Sequence, residues 1–370
     1  MTQGLSTADA AHLERARTLA ALGWGFVHPN PLVGCVLVRD GTVVGEGYHK
    51  EFGGPHAEIV ALEAALTDAE GATAFVTLEP CSHQGKTPPC TEALVRAGVR
   101  RVVFGAADPG AASGGGAAAL RAAGVEVVGP CWTPREARAE NPAFFHGARH
   151  DTPYVALKLA QTLDARIAAA PGRRTRITGP EADAEVHRLR AGFDAIMVGA
   201  GTVRTDDPLL TVRLAPPGRV PPRRIVLDPD AALSNDAALL RDVGEAPLHV
   251  FTRADVGEEV LERLEDAGAH VHPVDGVGGR LALDTVLQVC AGLGIGAILC
   301  EGGSRLAASL LTARLASRLY LFIAPFTLGP SGVPSFQAEP GDVRWPTFRP
   351  AFEPRLYGRD TLLVLDREDH

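Results

Sequence analysis

The stretch His56-Ala57-Glu58, followed by Thr73-Ala74-Phe75-Val76-Thr77-Leu78-Glu79-Pro80-Cys81 and then Pro88-Pro89-Cys90, carries both the architecture and the chemistry of this chain. Residues 73–78 are β-branched and apolar and read as a buried strand. A polar, proline-punctuated loop follows, then a helical pattern over residues 91–97 that stops at Gly98. His56 opens a second helical run, residues 56–66, after the break Gly53-Gly54-Pro55. Strand, loop and helix in alternation make a layered α/β domain. Both junctions carry metal-ligating residue types. One imidazole and two thiols fill three positions around a tetrahedral Zn²⁺, and a fourth position left for water distinguishes catalytic from structural zinc. Helix N-termini carry partial positive charge, which favours Cys81 and Cys90 as thiolates. Residues two apart on a helix do not share a face, so Glu58 is expected beside the metal, placed to move protons on and off the water.

His-x-Glu followed by Pro-Cys is the pattern of zinc deaminases. Two other readings stay open at this point. A fourth protein ligand, His83 or His49, would close the site and make the zinc structural, or the three residues are incidental. A closed structural site does not account for Glu58 or for the Pro80-Cys81 junction.

Outward from this motif the first half keeps alternating. Residues 6–22 have helical spacing, with Ser6 and Asp9 as a capping pair and Gly23 as a stop. Residues 32–38 and 42–45 read as strands joined at the hairpin signal Asp40-Gly41. Strands at 101–104 and 125–128 flank a helix at 117–123. Residues 132–151, punctuated by Pro134 and Pro142, read as a short helix plus a linker. A second α/β segment begins at Tyr154, with strands at 154–159, 195–198, 224–227, 248–251, 297–300 and 319–323. Thr178-Gly179-Pro180-Glu181 reads as a capping box that starts a helix ending at Gly192, and another helix follows Glu301-Gly302-Gly303-Ser304. The tail, residues 350–365, reads as a hairpin around Gly358. These patterns divide the chain into domains at 1–150 and 151–370.

Length agrees with that division, since 370 residues suggest about two domains. Apolar residues make up 46% and charged residues 22%, ordinary for a globular protein. The net charge of −8 and the lack of any basic stripe argue against a nucleic-acid partner. No apolar run is long enough to span a bilayer, and residues 1–22 are neither a signal peptide nor a membrane anchor. Six scattered cysteines suggest a reducing cytosol, with Cys35 and Cys300 as small buried apolar residues. Of 36 basic residues only Lys50, Lys86 and Lys158 are lysine, which marks them as candidates for chemistry that arginine does not serve.

Three segments, His28-Pro29-Asn30-Pro31-Leu32-Val33-Gly34, Glu79-Pro80-Cys81-Ser82-His83 and Gly85-Lys86-Thr87-Pro88-Pro89-Cys90, resemble the deaminase domain of the bifunctional deaminase/reductase family of riboflavin biosynthesis. Cytidine and tRNA-adenosine deaminases usually separate their two cysteines by two residues, whereas here the segment from Ser82 to Pro89 intervenes. The resemblance implies a cytidine-deaminase-like, three-layer α/β/α domain. It also implies hydrolytic loss of the 2-amino group from 2,5-diamino-6-(5-phosphoribosylamino)pyrimidin-4-one. One Zn²⁺ per chain would sit on His56, Cys81 and Cys90, Glu58 would be catalytic, and Asn30, His49 and Lys86 would contact substrate.

The second half resembles the reductase domain of the same family, with a dihydrofolate-reductase-like α/β fold. The matching residues are Lys158 to Arg166, Leu189-Arg190, Val198 to Arg213, Arg224-Ile225-Val226-Leu227-Asp228 and Glu301 to Leu306. No Gly-x-Gly-x-x-Gly opens a helix after a strand, so a Rossmann domain is not expected. Backbone N–H groups at Gly302-Gly303-Ser304, and similarly at Gly199 to Thr202, suit a pyrophosphate. The resemblance implies reduction by NADPH of the ribosyl group of 5-amino-6-(5-phosphoribosylamino)uracil to ribityl. Lys158 and Asp206 would sit near the reacting carbonyl. Arg174, Arg190, Asp206, Leu210, Arg213 and Glu301 would contact substrate, with Arg190 and Arg213 forking onto its phosphate. Ala160, Arg176, Thr202, Asp206, Gly302, Gly303, Ser304, Arg305 and Leu306 would contact NADPH.

Two departures stand out. The family's Leu-Asp-Gly is Leu163-Asp164-Ala165, and Arg174-Thr175-Arg176 replaces a frequent aromatic, so Arg174 or Arg176 is expected to select the 2′-phosphate of NADPH. Expected partners are small phosphoribosyl-pyrimidine substrates and further copies of the chain, with no nucleic acid and no membrane, in the cytoplasm. The rivals are a nucleic-acid or nucleoside deaminase with an accessory domain, and a deaminase whose reductase domain is inactive.

Overall fold

Asp40 and Gly41 both take positive φ, 51° and 78°, and turn β1 (Gly34–Arg39) back along β2 (Thr42–Tyr48) as the Asp-Gly signal requires. With β3 (Thr73–Leu78), β4 (Arg101–Ala106) and β5 (Glu126–Val128) they form a five-stranded sheet in the order β2-β1-β3-β4-β5. The β2-β1-β3 pairs are antiparallel and the β3-β4-β5 pairs parallel. The computed structural model describes residues 5–83, 88–110, 113–338 and 345–368. By contacts the chain divides into two units, Met1–Arg149 and His150–His370.

In the first unit α1 (Thr7–Ala20) buries Leu13, Ala16 and Leu19 against Val36, Phe75 and Val103 on one face of the sheet. On the other face α2 (Ala57–Ala65), α3 (Cys90–Arg96) and α4 (Gly116–Ala122) pack Ala57, Ala61, Leu94 and Leu120 onto Cys35, Leu37, Val76 and Val102. These are the three layers expected. A Cβ on Gly47 would lie 2.4 Å from the Ala57 carbonyl oxygen and 2.5 Å from the Ala61 nitrogen. Only glycine lets α2 lie this close to β2, and that approach carries His56 and Glu58 to the sheet. Ser6 caps α1 by accepting the Asp9 N–H at 3.1 Å, but the Asp9 carboxylate pairs with Arg101 rather than closing a box. The expected short helix and linker are two helices, α5 (Pro134–Glu140) and α6 (Pro142–Gly147), because Thr133 and Glu136 make a capping box and Pro142 restarts the helix.

The second unit contains β6 (Tyr154–Thr162), β7 (Arg166–Ala168), α7 (Pro180–Ala191), β8 (Ala195–Gly199), α8 (Ala200–Asp206), β9 (Arg223–Leu227) and β10 (Leu248–Arg253). Then come α9 (Glu258–Asp266), β11 (His270–Val274), β12 (Gly276–Val277), β13 (Arg280–Leu281), α10 (Leu283–Gly292), β14 (Ala297–Cys300) and α11 (Ser304–Thr312). The chain closes with β15 (Arg318–Ala324), β16 (Val333–Pro334), β17 (Phe348–Pro350), β18 (Arg355–Tyr357) and β19 (Asp360–Arg367). The main sheet runs β11-β10-β9-β8-β14-β6-β15-β19-β17, with β18 also on β19. Every pair from β11 to β15 is parallel, and β19 adds antiparallel. One face packs on α10 and α11, the other on α8 and α9. Parallel strands of this kind are buried on both faces, which is why they read as unbroken apolar runs.

The start of α7 differs from expectation. Its N-cap is Gly179, which has no capping side chain. Thr178, one residue early, donates its hydroxyl to Asp183 at 3.0 Å, and the Gly179 N–H is taken by Asp360 of β19 at 2.7 Å. A partner distant in sequence supplies what the local motif was expected to supply.

Candidate active sites

In the first unit the chemistry gathers where three chain segments converge. His56 is the N-cap residue of α2, Cys81 lies just past the end of β3, and Cys90 is the first residue of α3. Their ligand atoms all lie within 4.8 Å of one another, and among the described residues no fourth His, Cys, Asp or Glu joins them. The His56 Nδ1 is 3.3 Å from the Cys90 Sγ and 3.6 Å from the Cys81 Sγ. Hydrogen bonds from Cys90, and from His56, hold the Cys81 thiol down at about 4, while Cys81 in turn, together with burial, pushes the Cys90 thiol up. Two adjacent thiols resist becoming two thiolates unless a cation sits between them, so this donor set fits a divalent metal of borderline softness.

Glu58, on the first turn of α2, is 3% exposed, and burial pushes its carboxyl up to about 7. His49 is equally buried and is not a fourth ligand. Its Nδ1–H donates to the Pro55 carbonyl at 2.9 Å, and its Nε2 accepts from the Asn30 amide at 3.1 Å. His83 lines the cavity outside the three-residue cluster. That cavity, about 380 Å³, is bounded by Asn30, His49, Glu58 and Glu79 and by the apolar Val33, Phe52 and Phe144, walls suited to a flat ring. Lys86 lies outside the described residues. Glu79, not singled out from sequence, accepts the Ala117 N–H at 2.9 Å and the Asp108 N–H at 3.2 Å. It ties the wall carrying Asp108 and Ser113 to the end of β3, and a carboxylate directly before Pro-Cys was the signal available.

The second unit holds a cavity of about 680 Å³ beside β6 and the carboxyl ends of β8 and β14, the usual place for ligands in open α/β sheets. Lys158, Ala160, Arg174, Arg176, Arg190, Thr202, Asp206, Leu210, Glu301, Gly302 and Gly303 line it. Burial pushes the Lys158 ammonium down and the Asp206 carboxyl up, with Arg174 and Lys158 pulling Asp206 back. The fork of Arg190, expected on a phosphate, is filled by protein. Its Nε and Nη2 donate to the two Glu301 oxygens at 2.6 and 2.9 Å, and its Nη1 donates to the Thr211 carbonyl at 2.9 Å. Arg176 is 71% exposed and pairs with Asp183 at 2.9 Å, whereas Arg174 stands exposed on the cavity wall.

Arg213, Ser304, Arg305 and Leu306 are not in that wall. Arg213 is exposed, with Nη1 donating to the Thr211 hydroxyl at 2.7 Å. Ser304 is buried and Arg305 exposed at the start of α11. Leu306 packs under the glycine turn, where a Cβ on Gly302 would come within 2.6 Å of it. No side chain caps the first turn of α11 or of α8, which suits backbone N–H groups to an anion. Asp183 and His187, near Arg190 on α7, were not singled out from sequence. They lie among charged residues of a helix that reads as an exposed face.

Residues 6–106 match the cytidine and deoxycytidylate deaminase zinc-binding region, and residues 153–350 match the RibD C-terminal domain. The riboflavin biosynthesis protein RibD of Aquifex aeolicus is 42% identical over 323 residues, 87% of this chain and 88% of that one. The chain belongs to the RibD family. RibD of Escherichia coli K12 is 40% identical over 333 residues, covering 87% of this chain and 89% of its own. Two solved structures are similar over 97% of this chain and 99% of theirs. RibD of Acinetobacter baumannii has a TM-score of 0.79 at 34% identity. A Thermotoga maritima diaminohydroxyphosphoribosylaminopyrimidine deaminase/5-amino-6-(5-phosphoribosylamino)uracil reductase has a TM-score of 0.81 at 33% identity. As a RibD-family member the chain is a bifunctional enzyme of riboflavin biosynthesis, deaminase and reductase in one polypeptide. An accessory-domain nucleic-acid deaminase finds no counterpart among these relatives.

Proposed function

We propose that the first unit, to about residue 150, deaminates 2,5-diamino-6-(5-phosphoribosylamino)pyrimidin-4-one, and that the second reduces the ribosyl group of the product with NADPH. The observation that carries the reading is the convergence of His56, Cys81 and Cys90 around one point, with the buried Glu58 beside it in a cavity that a pyrimidine ring fits. His56, Cys81 and Cys90 hold one Zn²⁺, which when bound supplies a Lewis acid and a nucleophile usable at neutral pH. Glu58, buried and titrating near neutrality, takes a proton at its carboxylate and returns it to the departing amine. Asn30, oriented by His49, and Lys86 contact the substrate.

In the second unit the glycine turn at Gly302-Gly303, the start of α11 and Thr202 hold the dinucleotide, which when bound supplies a hydride. Ala160, Ser304, Arg305 and Leu306 belong to the same cofactor set. Arg174, exposed on the cavity wall, faces the 2′-phosphate more freely than Arg176, whose partner is Asp183. Lys158 would hold the proton that goes to the sugar oxygen, and Asp206 lines the same cavity beside it. Glu301 and Arg190 form the wall against which the substrate lies, with Leu210, and Arg213 meets its phosphate. All six cysteines are free, which supports a reducing cytosol.

The test is a coupled assay with zinc analysis on two variants. Glu58→Gln should lose deamination by at least about 10²-fold, keep its zinc, and still oxidise NADPH on the deaminated substrate. Lys158→Ala should do the reverse. Full deaminase activity in Glu58→Gln, or loss of both activities in either soluble variant, would overturn the division of labour.

A further inference from the structure

We propose that His187 is a positioning residue for the reductase, holding the segment 207–213 in the conformation that presents Arg213 to the phosphate of the sugar substrate. This rests on the reading of Arg213 as a phosphate contact. His187 lies on α7 one turn before Arg190 and is 6% exposed. Its Nδ1 receives the backbone N–H of Arg213 at 2.9 Å. An amide nitrogen can only donate, so Nδ1 is unprotonated and the ring is neutral, with its proton on Nε2.

The surroundings maintain that state. Burial, then the cations Arg190 and Arg213, push the imidazole down to about 4 against the opposing pull of Glu301 and Asp183.

The segment needs such an anchor. Asp207 and Leu210 both take positive φ, 40° and 53°, although neither is glycine. That conformation is strained for a residue with a side chain and persists where neighbours over-determine it. Asp207 accepts the Ala238 N–H at 2.8 Å, and Leu210 is buried. The Thr211 carbonyl accepts from Arg190, and the Arg213 N–H donates to His187. Two residues of α7 thus grip the segment, and Glu301 fixes one of them. Pro208 and Leu210, within this strained turn and just ahead of the grip, both line the cavity wall. The Arg213 side chain folds back on Thr211, so its direction depends on where these backbone atoms are held.

The experiment measures reductase kinetics with the phosphorylated substrate and its dephosphorylated counterpart, and NADPH binding by fluorescence. Loss of one buried amide acceptor predicts that His187→Ala raises KM for the phosphorylated substrate about tenfold, with kcat within about twofold. NADPH affinity should not change, and with the dephosphorylated substrate the variant should match the parent. His187→Asn, whose Oδ1 takes the place of Nδ1, should restore KM, and His187→Gln, whose carbonyl reaches further out, should not. An unchanged KM in His187→Ala overturns the proposal, as does failure of His187→Asn to restore it. A parallel fall in kcat and NADPH affinity also overturns it, because that marks a plain packing role. Arg213→Ala separates the layers. If it raises KM while His187→Ala is silent, only the positioning role fails. If Arg213→Ala is itself silent, the phosphate contact fails and the proposal with it.

Discussion

Ala165 shows how much one side chain can change without loss of the turn that holds it. It sits between β6 and β7 with φ at +56°, a conformation that suits the glycine of the family pattern. The turn survives because Asp164 is over-bonded. Its carboxylate accepts the Thr162 hydroxyl at 2.5 Å and the N–H groups of Leu328 and Gly329 at 3.2 and 2.7 Å, while the Ala165 carbonyl accepts the Ser335 N–H at 3.0 Å. Ala165→Gly removes about 1–2 kcal/mol of left-handed strain and adds about 0.4–1 kcal/mol of unfolded-chain entropy. The variant should therefore be more stable by about 0.5–1 kcal/mol, seen as a higher Tm for the second unit. A lower Tm would mean that the strain is relieved in some other way. His56, Glu58, Cys81 and Cys90 were legible because ligand chemistry needs those atoms at that order along the chain. The partner of Arg190 was not, because nothing at residue 190 announces a carboxylate at residue 301.

At the scale of elements, a charged fork joins α1 to β4. The two Arg101 Nη atoms donate to the Asp9 oxygens at 3.1 and 3.0 Å, and this hydrogen bonding holds the Asp9 carboxyl below its usual range. A depressed carboxylate stabilises the fold above its unfolded pKa, and that contribution disappears as pH falls through the lower folded value. Asp9→Asn should cost about 1 kcal/mol at neutral pH, and the difference should shrink and disappear as pH falls below the usual aspartate range. Urea titrations of both proteins across that range check it, and a gap that persists in acid would sink the explanation. The elements themselves were readable where local chemistry decides them, as in the Asp40-Gly41 hairpin and the apolar runs of the central strands. β11 was not, because His270-Val271-His272-Pro273-Val274 alternates polar residues with a proline and lacks an apolar run. Its place at the sheet edge, paired only with β10, is where proline is tolerated. α8 was not read as a helix, only as backbone N–H groups at Gly199 to Thr202 suited to a pyrophosphate. Its helix is only seven residues, and Val203 packed under the sheet supports it more than propensity does.

For the whole molecule, the order of strands in space departs from their order in the chain. β6 opens the second unit, yet its hydrogen-bonded neighbours are β14 and β15, which come more than a hundred residues later. Composition and motif order revealed two halves and their chemistries. They could not reveal this interleaving, because a parallel pairing leaves no mark in either strand about which partner it takes. On a ribosome it has a cost in time. Synthesis adds about 5–20 residues per second, so β6 stands exposed for on the order of ten seconds before β14 emerges, an apolar strand with both edges vacant, while the five-stranded sheet before it can already close. A ribosome stalled just after Val274 should carry a nascent chain from which mild proteolysis recovers residues 1–149 intact and no fragment of the second unit. Recovery of a second resistant fragment would show that a partial sheet forms without its centre. In the cell, the vulnerable product of interrupted translation would then be an enzyme with a finished first half and an adhesive, unfinished second one, a natural client for chaperones.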